Sequence, residues 1–224
     1  MTTPTAFSET TGGDALELAS LLCSRLCHDM LSPVGALSNG LELLAEEKDP
    51  VMRQRCMELL EQSARTSADK LKFFRLAFGA AGGFGEAVPS NEPQALIAAL
   101  VAANARLTLN WQVGMEMMPK PAVKVLLNLS LIGIEALVRG GTLEIAAEPR
   151  GPRGVEIVVR ATGPRIAFDA TVGRALRGEL TAGELSSRTA PGAMIAAIAA
   201  RAGGEIQIAQ TPEALLLGAA LPSA

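Results

Sequence analysis

Tyrosine is absent, tryptophan occurs once and phenylalanine six times in these 224 residues. A chain so poor in aromatic rings lacks the stacking platforms that hold single-stranded nucleic acids. Positive charge is not in excess either. Lys and Arg number 20 against 23 Asp and Glu, a formal charge of −3, so no basic field is available to neutralise a phosphate backbone. Both shortages exclude nucleic acid as a partner. Long apolar runs are also missing. The longest mostly apolar stretch, Val123 to Val138, contains Lys124, Asn128 and Glu135 and is too short and too polar to span a bilayer. Met1 to Gly13 is polar and Thr-rich, with no basic segment ahead of an apolar one, so no signal peptide and no membrane partner are expected. Cysteines are three, an odd number, which points to a reducing compartment and a cytoplasmic protein. Cys23, Cys27 and Cys56 fall in helical pattern and are expected as small buried hydrophobes.

What is present is apolar and aliphatic. Hydrophobic residues make up 49% of the chain, enough for one large core or two small ones. Histidine occurs once, at position 28, in Leu26-Cys27-His28-Asp29-Met30-Leu31-Ser32-Pro33-Val34-Gly35. At about 100° per residue, Leu22, Leu26, Met30, Val34, Leu37, Leu41 and Leu44 form one apolar stripe. His28 lies opposite it, on a face with Ser24, Arg25, Ser32, Gly35, Asn39, Glu42 and Glu46. An unperturbed imidazole is largely neutral near pH 7 and is a competent nucleophile. Asp29 follows directly and is placed to orient the ring. Pro33 cannot hydrogen-bond the carbonyl of Asp29 and bends the helix just past the histidine. Cys23, Cys27 and His28 do not suggest zinc, because the histidine points about 100° from Cys27 and no fourth ligand is evident.

The organisation follows from the same pattern. A tail at 1–13 precedes a helix from Asp14, a candidate N-cap, to Glu47. Asp49-Pro50 reads as a cap and a first helical position for a second helix, Val51 to Phe78. So short a connection makes the two helices antiparallel neighbours. The domain comprises residues 14–78. Each apolar side chain left exposed on the hairpin forgoes ~1.5–3 kcal/mol, so two hairpins are expected to pair as a homodimeric four-helix bundle. Residues 79–93 are rich in Gly and Pro and read as a linker. From 94 to 224 the pattern alternates: helix 94–105, strand 106–113, helix 119–139, strands 142–148 and 154–161, helices 168–178 and 190–202, strands 205–210 and 214–221. The fold class is α+β, a helical hairpin followed by an α/β sandwich.

His, acid, three residues and Pro, as in His28-Asp29-Met30-Leu31-Ser32-Pro33, resembles the phosphoacceptor helix of sensor histidine kinases. The second half resembles their ATP-binding (Bergerat-type) domain, with its chemistry degraded. Val125-Leu126-Leu127-Asn128-Leu129 and Gly140-Gly141 bracket the kinases' asparagine-bearing helix. The position aligned with their metal-binding Asn holds Ile132, which cannot coordinate Mg²⁺. Their adenine-reading Asp aligns with Ala161 in Ala161-Thr162-Gly163-Pro164-Arg165, and alanine cannot accept that hydrogen bond. Pro191-Gly192-Ala193-Met194-Ile195 keeps one glycine where a phosphate loop needs several.

A phosphoacceptor hairpin with a nucleotide domain that has lost its chemistry resembles the ChpT-type histidine phosphotransferases of alphaproteobacterial cell-cycle phosphorelays. The resemblance implies a phosphoryl carrier that binds no ATP and needs no cofactor of its own, Mg²⁺ coming with the partner receiver domain. His28 is then the phosphorylated nucleophile and Asp29 its orienting base. Arg25, Leu31, Ser32, Gly35 and Asn39 are candidate receiver contacts, and Arg160 and Arg165, expected near the lost nucleotide site, are two more. The partners implied are the receiver domain of a CckA-like hybrid kinase and CtrA-like and CpdR-like response regulators. Two other functions stay open on the residues alone: an active ATP-dependent histidine kinase and a non-catalytic dimeric signalling adaptor.

Overall fold

A computed structural model describes residues 12–79, 86–151, 154–181 and 183–222. Helix α1 spans Gly12–Glu46 and α2 spans Pro50–Ala77. Most of the expected tail lies outside the described residues. Asp14 sits in the first turn of α1 rather than capping it, where a carboxylate still favours the helix dipole. The turn between the helices is tied at both ends. The Asp49 side chain accepts the Val51 N–H at 3.1 Å, with Pro50 at the first helical position. Arg53 donates to the carbonyls of Leu44 and Glu47, both at 2.8 Å, and so satisfies acceptors that the end of α1 leaves open.

Strand β1 (Ala87–Pro89) and helix α3 (Asn91–Ala102) follow. The later part of the expected linker is therefore folded. Val88 is fully buried and β1 pairs antiparallel with β3 (Met117–Pro119). Three residues with one buried side chain are too short to announce a strand by alternation. Residues 80–85 lie outside the description.

The main sheet has five strands in the order β2-β4-β5-β7-β6: β2 Leu107–Val113, β4 Gly141–Arg150, β5 Gly154–Thr162, β6 Glu205–Gln210 and β7 Ala214–Leu221. β2 and β4 run parallel, connected through α4 (Lys120–Ala136), and the other pairs are antiparallel. Alternation decides the faces. Leu143, Ile145, Val155, Ile157, Val159, Leu215 and Leu217 point into the core, which α4 covers. A side chain at Gly133 of α4 would meet Leu143 and Val159 within 3.3 Å. Helices α5 (Ala170–Leu176) and α6 (Ala190–Arg201) pack against each other beside it. Gly192 belongs to that packing, since its missing Cβ would lie 3.0 Å from the Cβ of Ala175.

The hairpin is anchored to this domain by the end of α2. Phe73, Phe74, Leu76 and Ala77 are buried in the same core as Val88, Ile97 and Leu126. Phe73 meets Phe74 edge-on at 5.6 Å, and Phe74 stacks on Phe78 at 5.2 Å. Asn128, fully buried, donates to the carbonyls of Lys124 at 2.8 Å and Ala77 at 3.4 Å, joining α4 to the last turn of α2.

The apolar stripe of α1 divides in two. Leu22, Leu26, Met30, Leu37 and Leu44 turn toward the rest of the chain, with Pro33 buried among them. Gly40 lets Leu60 approach, the glycine's missing Cβ lying 2.8 Å from that side chain. Leu16, Val34 and Leu41 are exposed in the single chain, and so are Cys23 and Cys27. The expectation that these two cysteines are buried is corrected. They lie, by helical phase, along a second seam about 90° round from the inward one.

Candidate functional site

His28 stands on the exposed side of α1, its side chain 81% accessible. Its Nδ1 lies 3.2 Å from Oδ1 of Asp29. A carboxylate can only accept here, so the pairing selects the tautomer with hydrogen on Nδ1 and leaves the Nε2 lone pair free. The other carboxylate oxygen, Oδ2, accepts from Nε of Arg25 at 2.7 Å. Arg25 also donates, through Nη2, to Oε1 of Glu135 on α4. Burial works against the charge of the Arg25 guanidinium, but Glu135 and Asp29 outweigh it and hold its pKa above the ordinary value.

The backbone beside the ring is held too. Pro33 leaves the carbonyl of Asp29 without its helical donor, and the ammonium of Lys70, on α2, donates to that oxygen at 3.0 Å. Lys70 and Glu135 are the two residues of this site that sequence reasoning passed over. Pro33 signals an open acceptor, but nothing local names the donor 41 residues away. Glu135 carries no signal at all.

The expected residues divide by place. Leu31, Ser32 and Asn39 are exposed on α1 around His28, and Gly35 is half-buried. A Cβ at Gly35 would meet nothing within 4 Å, so no contact within the chain requires a glycine there. Arg25 is turned inward, 12% exposed and engaged by two carboxylates, not presented at the surface. Arg160 must be moved. It lies on the sheet face opposite the helices, opposite Glu144 in register and 3.8 Å from its carboxylate, because Val159 and Ala161 on either side take the core face. Arg165 is exposed on the loop after β5.

Of the positions aligned with nucleotide motifs, Ile132 and Pro191 border open space. A small cavity of about 60 Å³ is bounded by Asn128, Ile132, Phe168, Asp169, Arg188 and Pro191. Ala161 is buried in the core, and an ion pair of 3.3 Å between Arg188 and Asp169 lies beside the cavity. Among the described residues, no group of three or more His, Cys, Asp or Glu is arranged to hold a metal ion, and no helix is long and apolar enough to cross a membrane.

A two-helix hairpin carries an exposed histidine that faces a carboxylate, and a helix-on-sheet domain follows it. The chain belongs to the histidine phosphotransferase family, whose C-terminal domain matches residues 90–214. Among particular relatives, it is 43% identical over 134 residues to protein phosphotransferase ChpT of Brucella abortus (strain 2308). That match covers 60% of this chain and 62% of the relative, so the chain spans about three-fifths of the length of the curated protein it matches. A bacterial phosphotransferase solved at 1.7 Å superposes with a TM-score of 0.81 and 30% identity, over 96% of this chain and all of the other. The histidine kinase domain of Erythrobacter litoralis EL346 gives a TM-score of 0.47 at 8% identity, over 84% of this chain and 95% of that one.

Proposed function

We propose that this protein is a histidine phosphotransferase that carries a phosphoryl group on His28 between aspartates of receiver domains, and that it does not use ATP. One observation carries the reading. The sole histidine is exposed, and its Nδ1 is held by a carboxylate that is itself held. The Nε2 lone pair attacks phosphorus of a receiver's aspartyl phosphate. The acyl P–O bond breaks, the aspartate leaves as a carboxylate, and a P–N bond forms at Nε2. The hydrogen stays bonded to Nδ1 and is donated to the Asp29 carboxylate, whose charge offsets the positive charge that develops on the ring. Transfer to a second receiver reverses these steps. A loose phosphoryl transition state asks mainly for alignment and charge neutralisation. The receiver brings Mg²⁺ and its acidic cluster, and this chain brings the nucleophile, the orienting carboxylate and a surface. Leu31, Ser32, Gly35 and Asn39 make up that surface around the ring, and Arg165 is a more distant candidate. The partners proposed are a CckA-like hybrid kinase's receiver and CtrA-like and CpdR-like regulators, in the cytoplasm, in keeping with three free thiols.

Radiolabelled ATP, or a phosphorylated receiver domain, offered to the wild-type protein separates this reading from its rivals. Label is expected from the receiver alone. Label from ATP would make the protein a kinase, and label from neither an adaptor. Calorimetry is expected to register no ATP binding, and a low-micromolar affinity would overturn that part.

The working form proposed is a homodimer. Leu16, Val34 and Leu41 on α1 and Val51, Met52 and Leu59 on α2 are exposed in the single chain, and each gains ~1.5–3 kcal/mol when fully covered. A second hairpin covers them while His28, on the far side of α1, stays open. Sedimentation at micromolar concentration is expected to show a dimer, and Leu41→Glu to yield monomer. A monomeric wild type would refute the bundle.

A further inference from the structure

Beyond the packed end of α2, a chain of charged groups also joins the two domains. Glu135 belongs to α4 and lies 110 residues from Arg25. Arg25 bridges it to Oδ2 of Asp29, and Oδ1 of Asp29 faces Nδ1 of His28. The two oxygens of Asp29 thus have separate tasks: one takes the guanidinium and the other the ring. An isolated Arg–Asp pair at i, i+4 on a helix is worth only ~0.2–0.5 kcal/mol, too little to keep a long side chain in one rotamer. A second carboxylate on the opposite side of the guanidinium supplies what is missing. It clamps Arg25, and Arg25 then fixes the rotation of the Asp29 carboxylate. The formal charges matter as well. Asp29, Arg25 and Glu135 sum to −1, whereas without Glu135 they sum to zero, and the ring gains positive charge as the P–N bond forms.

We propose that Glu135 is a positioning residue for the phosphoacceptor: through Arg25 it holds the Asp29 carboxylate against Nδ1 of His28, so that the second domain sets the tautomer of a ring carried by the first. This rests on the reading of His28 as the phosphoacceptor. It also gives the second domain a task that needs no nucleotide. The clamp reaches the ring only through Arg25 and Asp29, so the ring's own electronic state is the place to look for it.

The test uses the full chain with Glu135→Gln and Glu135→Asp. Glu135 is 47% exposed, so both variants are expected to fold, with an unfolding midpoint close to wild type as the control. Because His28 is the only histidine, the imidazole ¹⁵N spectrum is a one-residue spectrum. Glu135→Gln is expected to move the ring away from the Nδ1–H tautomer and to slow single-turnover transfer from a phosphorylated receiver about tenfold, the scale of a small misplacement of a reacting group. Glu135→Asp, which keeps the charge, is expected to recover most of both. Unchanged rate and spectrum in Glu135→Gln would overturn the proposal. So would a slowed rate with an unaltered spectrum, because Glu135 would then act on docking and not on the ring. Failure of the underlying reading shows itself separately, as undiminished label on a His28→Ala protein.

Discussion

His28→Ala should accept no phosphate from a phosphorylated receiver domain, a loss of at least about 10³-fold, the scale seen when a nucleophile is deleted. No second imidazole exists to stand in. The neighbouring groups are poor substitutes. Asp29 has both oxygens engaged, by the ring and by Arg25, and the thiol of Cys27 points about 100° away around the helix. The fold should not change, because an 81% exposed side chain away from caps and core usually alters stability by no more than ~0.5 kcal/mol. The measurement is single-turnover transfer of label, followed by acid and alkali treatment of the product. Label on the wild type should survive alkali and be lost in acid, as a phosphoramidate does. Comparable label on His28→Ala would mean that the nucleophile is another residue.

The second large effect concerns stability. Phe73→Ala is expected to cost ~3–5 kcal/mol, the usual range for emptying a buried phenylalanine site. That is a large share of the ~5–15 kcal/mol that holds typical domains together. The ring is fully buried and packs edge-on against Phe74, in the core shared by the end of α2 and the second domain. The loss should appear as a lower denaturant midpoint, read by a probe in the hairpin and by Trp111 on β2. Since α2 also carries Lys70, the donor to the Asp29 carbonyl, transfer should fall as the junction loosens. A cost below ~1 kcal/mol would mean that hairpin and second domain are not one packed unit.

Much of the site can be read along the chain because its parts are local. His28, Asp29 and Pro33 lie within two turns of one helix, and helical phase alone puts the histidine away from the apolar side. The turn at Asp49-Pro50 is equally local, and the observed cap agrees with it. Reading ran short where a side chain's surroundings come from far along the sequence. Arg25 has the phase of a surface residue beside His28, yet α4 comes to lie against it and turns it into an internal link. The stripe of α1 reads as one face, but the folded chain covers five of its seven residues, and Val34 and Leu41 are left outside together with Cys23 and Cys27. Arg160 is a different case. Its neighbours Val159 and Ala161 already suggest the core face by alternation, so its outward direction was available from the strand pattern.

Besides the family resemblance that puts Ile132 and Ala161 where the kinases' nucleotide chemistry needs polar groups, what the sequence by itself determined is the element proposed to react: one histidine, its adjacent acid and the proline that opens a carbonyl. These are matters of side-chain chemistry and helical period, and no folding is required to state them. What only the tertiary structure decided is who holds that element in place. Lys70 closes the carbonyl that Pro33 opens, and Glu135 closes the chain through Arg25 to Asp29. Hydrogen bonds and ion pairs act over a few ångströms. Partners separated by 41 and 110 residues become partners only once packing of α2 and α4 has brought them within that reach.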